Sequence, residues 1–348
     1  MAGMIAMPAA LSTSTCDAPA MGRRAMLLGA AVTLSGCAAV VAPGHWPPQP
    51  PTVTDGVFTM SDGARLPYRT WRPDGPPDIV VLALHGFNDS RDAWEIPAPS
   101  FAAAGMAVYA PDQRGFGAAP GRGFWPGGNV LADDALQIID TLRHRHPGVE
   151  LVLMGESMGG AVLMDVATRP NPPDVAGYVL VAPAVWGRAR MNIFMRSGLW
   201  LAATLAPGME VSRPPPPIHV FASDNIPALI RLGRDPLTLL ETRFDTLRGL
   251  VDLMDTALAA ARRFRAPALF MYGGKDELVP KPATLATWRA LPGDQTLEAF
   301  YPNGWHLLMR DLDRAAPIGD AIAWIQNPHT PLPSGADQAA TKWLAAQS

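Results

Sequence analysis

Short, unbroken apolar runs alternate with amphipathic stretches along most of this chain. Residues 79–84, 107–110, 151–154, 178–182 and 268–272 each read as a strand buried on both faces, the signature of a parallel sheet. Between two of them, Leu131, Ala135, Ile138, Ile139 and Leu142 fall at helical spacing within 130–146. Ahead of the first, residues 57–60 and 66–71 flank Ser61, Asp62, Gly63 and Ala64, which predicts an antiparallel hairpin. Strands alternating with helices predict an α/β fold with a doubly wound, mostly parallel sheet.

The rhythm breaks after Pro183. Residues 184–265 carry helical patterns over 192–206, 226–232, 237–243 and 246–264, with one brief strand-like run at 218–222. Alternation then resumes with a strand at 268–272, a helix at 282–291, a strand at 296–301 and a helix at 316–326. The sequence thus divides into a core of 53–183 and 266–327, with a helical cap of 184–265 inserted between two sheet strands. Trp186, Met191, Phe194, Met195, Trp200, Leu201, Met209 and Met254 lie in the cap; most suit its core, and some must line an apolar pocket beneath it. Residues 328–348, with several prolines at their start, read as a surface extension without a function of their own.

The first residues read as a targeting signal over 1–36, with Met21 a plausible true start. Arg23 and Arg24 supply positive charge ahead of an apolar run at 25–34 of signal-peptide length. Leu34-Ser35-Gly36-Cys37 resembles the bacterial lipobox, which implies that Cys37 is diacylated and becomes the first mature residue. The rival is a plain membrane anchor, since 25–42 is nearly all apolar and just reaches spanning length. Residues 37–52 then form a Pro-rich tether. Both readings place the body of the chain at a bacterial cell envelope, membrane-attached and facing the periplasm or exterior.

Composition narrows the chemistry. Apolar residues make up 48% and charged residues only 17%, enough for a sizeable core in 348 residues. A net charge of -3 gives no polyelectrolyte signal, so nucleic acid is not an expected partner. The 2 cysteines, Cys16 and Cys37, both precede the globular part and form no disulfide framework. His144 and His146 do not share a helix face, and no other cluster has ligand spacing, so neither metal nor cofactor is expected.

The chemistry concentrates in Gly155-Glu156-Ser157-Met158-Gly159, between the strand at 151–154 and an amphipathic helix. It fits G-x-S-x-G, the nucleophile elbow, whose tight strand-to-helix reversal leaves no room for side chains at the flanking glycines. Such a serine needs a base, and the base an acid, in the chain order serine, acid, histidine. Asp276, with Glu277 beside it as the alternative, follows the strand at 268–272. His306 follows the strand at 296–301. Ser157, Asp276 and His306 therefore meet at one edge of the sheet. The oxyanion donors fall to the backbone N–H groups of Met158 and Phe87. His85 is expected to be structural, Asp112 and Arg114 to pair and fix their loop, and Asp133 and Asp134 to sit near a helix start.

His85-Gly86-Phe87, the run from Asp112 to Gly117, Gly155 to Gly160, Gly274-Lys275-Asp276 and Gly304-Trp305-His306 together resemble the α/β-hydrolase superfamily. Within it the chain is most similar to the monoacylglycerol lipase and lysophospholipase-like group, also labelled serine aminopeptidase. The likeness spans roughly 53–326. It implies hydrolysis of carboxylic esters with one acyl chain, so a small acyl ester or lipid is the expected substrate. The family pattern usually has histidine before the nucleophile, whereas this chain has Glu156. An aminopeptidase or amidase of the same fold, or a binder without catalysis, are the rival readings; a dehalogenase would need aspartate in place of Ser157.

Overall fold

The computed structural model describes residues 48–212, 220–293 and 295–347. The expected signal segment, Cys37 and most of the tether lie outside the described residues.

The apolar runs form strands and the amphipathic runs helices, in the order β1 (Thr52–Thr54), β2 (Val57–Thr59), β3 (Arg65–Trp71), β4 (Ile79–Leu84), α1 (Ala98–Ala103), β5 (Met106–Pro111), α2 (Gly128–Arg145), β6 (Glu150–Glu156), α3 (Met158–Ala167) and β7 (Gly177–Val181). The inserted segment holds α4 (Ile193–Leu205), β8 (Glu210–Val211), α5 (Ile226–Arg234), β9 (Thr242–Arg243) and α6 (Phe244–Ala260). β10 (Ala268–Gly273), α7 (Lys281–Ala290), β11 (Thr296–Tyr301), α8 (Ala315–Gln326) and α9 (Ala336–Ala345) complete the chain.

One sheet runs β1-β2-β3-β5-β4-β6-β7-β10-β11. β1 pairs antiparallel with β2, β2 with β3, and β3 with β5. From β5 to β11 every pairing is parallel, as the unbroken apolar runs require. The chain leaves β4 in one direction to reach β5, then crosses back to place β6 on the other side of β4. That reversal opens a crevice at the carboxyl ends of β4 and β6, the place where open α/β sheets bind ligands. Core residues of both layers, such as Leu82 and Phe270 on one face and Val81 and Met271 on the other, are fully out of solvent.

Three local expectations change. The 237–243 run is not a helix: the Arg122 guanidinium collects the carbonyls of Pro236, Leu237 and Thr238, which an α-helix would need for itself. Where the brief strand was expected, the described residues 220–222 are irregular. The carboxy-terminal stretch, expected as a surface extension, is instead part of the packed body. α9 packs on β11, buries Ala336 and Ala340, and stacks Trp343 on Phe300 at 4.5 Å between ring centres.

Candidate active site

β6 ends at Glu156 and α3 begins at Met158, so Ser157 is the whole of the turn between them. Its backbone stands at φ 52° and ψ −113°, a region that L-residues with side chains rarely visit. The turn persists because its surroundings hold it. The Ser157 N–H donates to the Val181 carbonyl at 2.9 Å, and the Ser157 carbonyl accepts from Ala161 and Ala184. Gly155 and Gly159 have the steric role expected of them. A Cβ on Gly155 would lie 2.5 Å from Gly159 backbone, and one on Gly159 would lie 2.3 Å from the Leu84 carbonyl oxygen.

His306 is buried in the loop after β11, and Asp276 in the loop after β10. His306 Nδ1 donates to Asp276 Oδ2 at 2.8 Å. The other carboxylate oxygen, Oδ1, accepts the Leu278 and Val279 N–H groups at 2.8 and 2.9 Å. With its Nδ1 proton engaged, the imidazole keeps Nε2 as the acceptor a base requires. Burial alone would lower the pKa of the ring. The Asp276 carboxylate, with Glu156 behind it, outweighs that effect and holds the pKa above the ordinary 6.5. Glu277, the alternative acid, borders the same cavity, and its Oε2 accepts the Phe221 N–H at 2.8 Å while Asp276 holds the ring.

The loop after β4 reaches the serine from the other side. A Cβ on Gly86 would sit 3.4 Å from the Ser157 Cβ, so the backbone leading into Phe87 runs against Ser157. His85 holds this loop as a neutral ring. Its Nε2 accepts the Gln113 N–H at 3.0 Å, so its Nδ1 proton points to the Gly86 carbonyl at 2.8 Å. Its complete burial keeps the pKa below the ordinary value, which agrees with that neutral form. Met158 opens α3, where first-turn N–H groups have no partner within the helix.

Ser157, His306 and Phe87 border one cavity of about 730 Å³. Its walls are mainly apolar and come largely from the cap: Trp186, Met191, Leu199, Leu239, Leu250 and Met254 are among them. Of the residues singled out in the cap, Trp186, Met191 and Met254 line this cavity, while Phe194, Met195, Trp200, Leu201 and Met209 lie on the exterior.

The supporting charges pair differently from expectation. Asp112 binds the Arg91 guanidinium and the Arg91 and Ala118 N–H groups, rather than Arg114. Arg114 forks onto Asp134 at 2.8 and 2.9 Å and also reaches Asp62. Asp133 and Asp134 lie beyond the first turn of α2, so they serve Arg169 and Arg114 instead of the helix terminus. The largest feature that sequence reasoning missed is Arg310. It is buried, borders the cavity, and binds both Asp89 and Glu156. Its signal was faint: one arginine in an otherwise apolar run four residues after His306.

Fold and site together define a serine hydrolase of the α/β-hydrolase superfamily. Residues 75–313 match the serine aminopeptidase (S33) family, and the chain belongs to it. It is similar to the monoacylglycerol lipase of Mycolicibacterium smegmatis, with 25% identity over 79% of this chain and 97% of that protein. It is also similar to the mouse monoglyceride lipase, at 29% identity over 77% of this chain and 88% of the relative. Among solved structures, a soluble variant of the Saccharomyces cerevisiae monoglyceride lipase in complex with a substrate analog shares the fold. Its TM-score is 0.65, at 20% identity over 83% of this chain and 99% of that one.

Proposed function

We propose that this enzyme hydrolyses esters of single-acyl-chain lipids, such as monoacylglycerols or lysophospholipids, through Ser157, His306 and Asp276. The observation that carries this reading is the apolar, cap-walled cavity with Ser157 and His306 on its border. An acyl chain fills such a space by the hydrophobic effect and leaves its ester at the polar end. His306 Nε2 takes the proton from Ser157 Oγ as it attacks the carbonyl carbon. The N–H groups of Phe87 and Met158 receive the negative oxygen, and Asp276 steadies the imidazolium. His306 then protonates the departing alcohol, and water attacks the acyl-enzyme by the same route in reverse.

The relatives' names support the lipid substrate, since two of them are monoacylglycerol or monoglyceride lipases. The peptidase reading needs a carboxylate available to a substrate amine. Glu156 and Asp89 are both paired with Arg310, which favours the ester; the exposed Glu277 borders the cavity and is the carboxylate that the peptidase reading would have to use. A fluorophosphonate probe should label wild type at Ser157. Turnover ranked across monoacylglycerols, lysophospholipids, p-nitrophenyl esters and aminoacyl amides tests the substrate class; preference for the amides would overturn it.

The lipidation of Cys37 and a place at the cell envelope belong to the same proposal, on the strength of Leu34-Ser35-Gly36-Cys37. Metabolic labelling with an alkyne fatty acid should tag the full chain. Cys37→Ser should lose the tag and move to the soluble fraction.

A further inference from the structure

Three ionisable side chains lie buried beside the proposed triad and move no proton in the reaction: Asp89, Glu156 and Arg310. Arg310 Nη1 donates to Asp89 Oδ2 at 2.8 Å, and Nη2 donates to Glu156 Oε2 at 2.5 Å. Each residue sits one short step from a working part. Asp89 is two residues past Phe87, Glu156 directly precedes Ser157, and Arg310 is four residues past His306. A single guanidinium therefore spans the oxyanion loop, the elbow and the histidine loop. Its own backbone is fixed too: the Arg310 N–H donates to the Leu307 carbonyl at 2.7 Å, and its carbonyl accepts Asn225 Nδ2 at 2.8 Å.

We propose that Arg310 is a positioning residue of the active site, holding these three loops in one register through Asp89 and Glu156. Stability alone does not call for such a device, because well-packed apolar side chains of similar volume serve a core as well as buried charges or better. Registry does. The planar fork of arginine fixes the angle between two carboxylates as well as their distances, and lysine cannot. The proposal also gives Glu156 a role: in place of the usual histidine, this elbow carries the acceptor that Arg310 needs.

The charge has a second consequence. Asp276 and Glu156 face His306 as anions and Arg310 as a cation, with Asp89 and Asp311 in the next layer. Loss of the Glu156 charge therefore removes one influence that favours the imidazolium.

The proposal rests on His306 and Ser157 being base and nucleophile, so its test carries a control for that reading. Arg310→Lys keeps the charge without the fork, and Glu156→Gln keeps size and an acceptor without the charge. Arg310→Lys should fold, keep KM within about twofold and lose about tenfold or more in kcat, since small misplacements are felt in the transition state. Glu156→Gln should lower kcat in the same sense and move the acidic limb of kcat/KM to lower pH by roughly half a unit. A folded Arg310→Lys with kcat within about twofold of wild type overturns the proposal. If that variant does not fold, Glu156→Gln decides alone, and an unchanged kcat and limb overturn it. Substantial turnover by Ser157→Ala would instead sink the catalytic reading beneath it.

Discussion

Asp276 gives one carboxylate oxygen to His306 Nδ1 at 2.8 Å and the other to two backbone N–H groups of its own loop. The carboxylate is thus oriented before the ring meets it, and the ring's tautomer follows from the carboxylate. Asp276→Asn places an amide where the anion stood, which allows the wrong tautomer and withdraws stabilisation of the imidazolium. A fall of about 10³–10⁴ in kcat is expected, from the behaviour of such triads elsewhere. Steady-state kinetics on a p-nitrophenyl ester measure it. Glu277→Gln, whose carboxylate faces the cap, should stay close to wild type; equal losses in both variants would remove Asp276 from its role.

The same pair sets a pH dependence. His306 titrates above 6.5 because Asp276 and Glu156 outweigh the effect of its burial. As the proposed base it must be neutral, so kcat/KM should rise with pH through an acidic limb above 6.5. Stability runs the other way. A group whose folded pKa is raised stabilises fully below its unfolded value, and that contribution disappears as pH climbs through the folded value. Thermal midpoints measured from pH 6 to 9 should show such a decline in wild type and lack it in His306→Gln. A limb below the ordinary histidine pKa would show that burial wins instead.

Gly159 makes a steric prediction. A Cβ there would lie 2.3 Å from the Leu84 carbonyl oxygen and 2.9 Å from that of His85. Both contacts are to backbone, so no side chain can swing away. Gly159→Ala must push α3 off the end of β4, displacing the Met158 N–H from the loop that carries Gly86 and Phe87. A loss of about 2 kcal/mol or more in stability is expected, the scale of core overpacking, with fluorophosphonate labelling slowed further still. Urea unfolding and labelling rates would separate the two effects. Wild-type behaviour in both would overturn the steric role assigned to Gly159.

Much of this architecture was legible because buried parallel strands announce themselves as apolar runs. The 79–84 and 296–301 strands were read to the residue. The loops that deliver Ser157, Asp276 and His306 follow from chain order alone. Contacts between loops distant in sequence were not legible. Arg310 lies 221 residues from Asp89 and 154 from Glu156, so no local pattern could join them. Asp112 and Arg114 looked like partners because they are neighbours in the chain, yet each binds an element elsewhere. The 237–243 run had leucines at workable spacing. What decided its shape was Arg122, which lies far away and claims its carbonyls.

α9 shows how a legible signal can be passed over. Ala336, Ala340 and Trp343 recur at helical spacing, directly after a Pro-rich stretch that reads as loop. In the structure the helix packs on β11, the last strand of the sheet, whose outer edge would otherwise invite pairing with another chain. Trp343 lies parallel to Phe300 at 4.5 Å and meets Trp288 edge-on at 5.3 Å. Removing its indole should cost about 2 kcal/mol, the aromatic contacts plus part of the area of a half-buried ring. Trp343→Ala should therefore lower the urea midpoint while leaving KM unchanged, since no part of α9 borders the cavity. Truncation after Asn327 should go further and expose Phe300 and Tyr301, giving aggregation on concentration. A truncated chain that stays monomeric and fully stable would return the segment to the role of a mere extension.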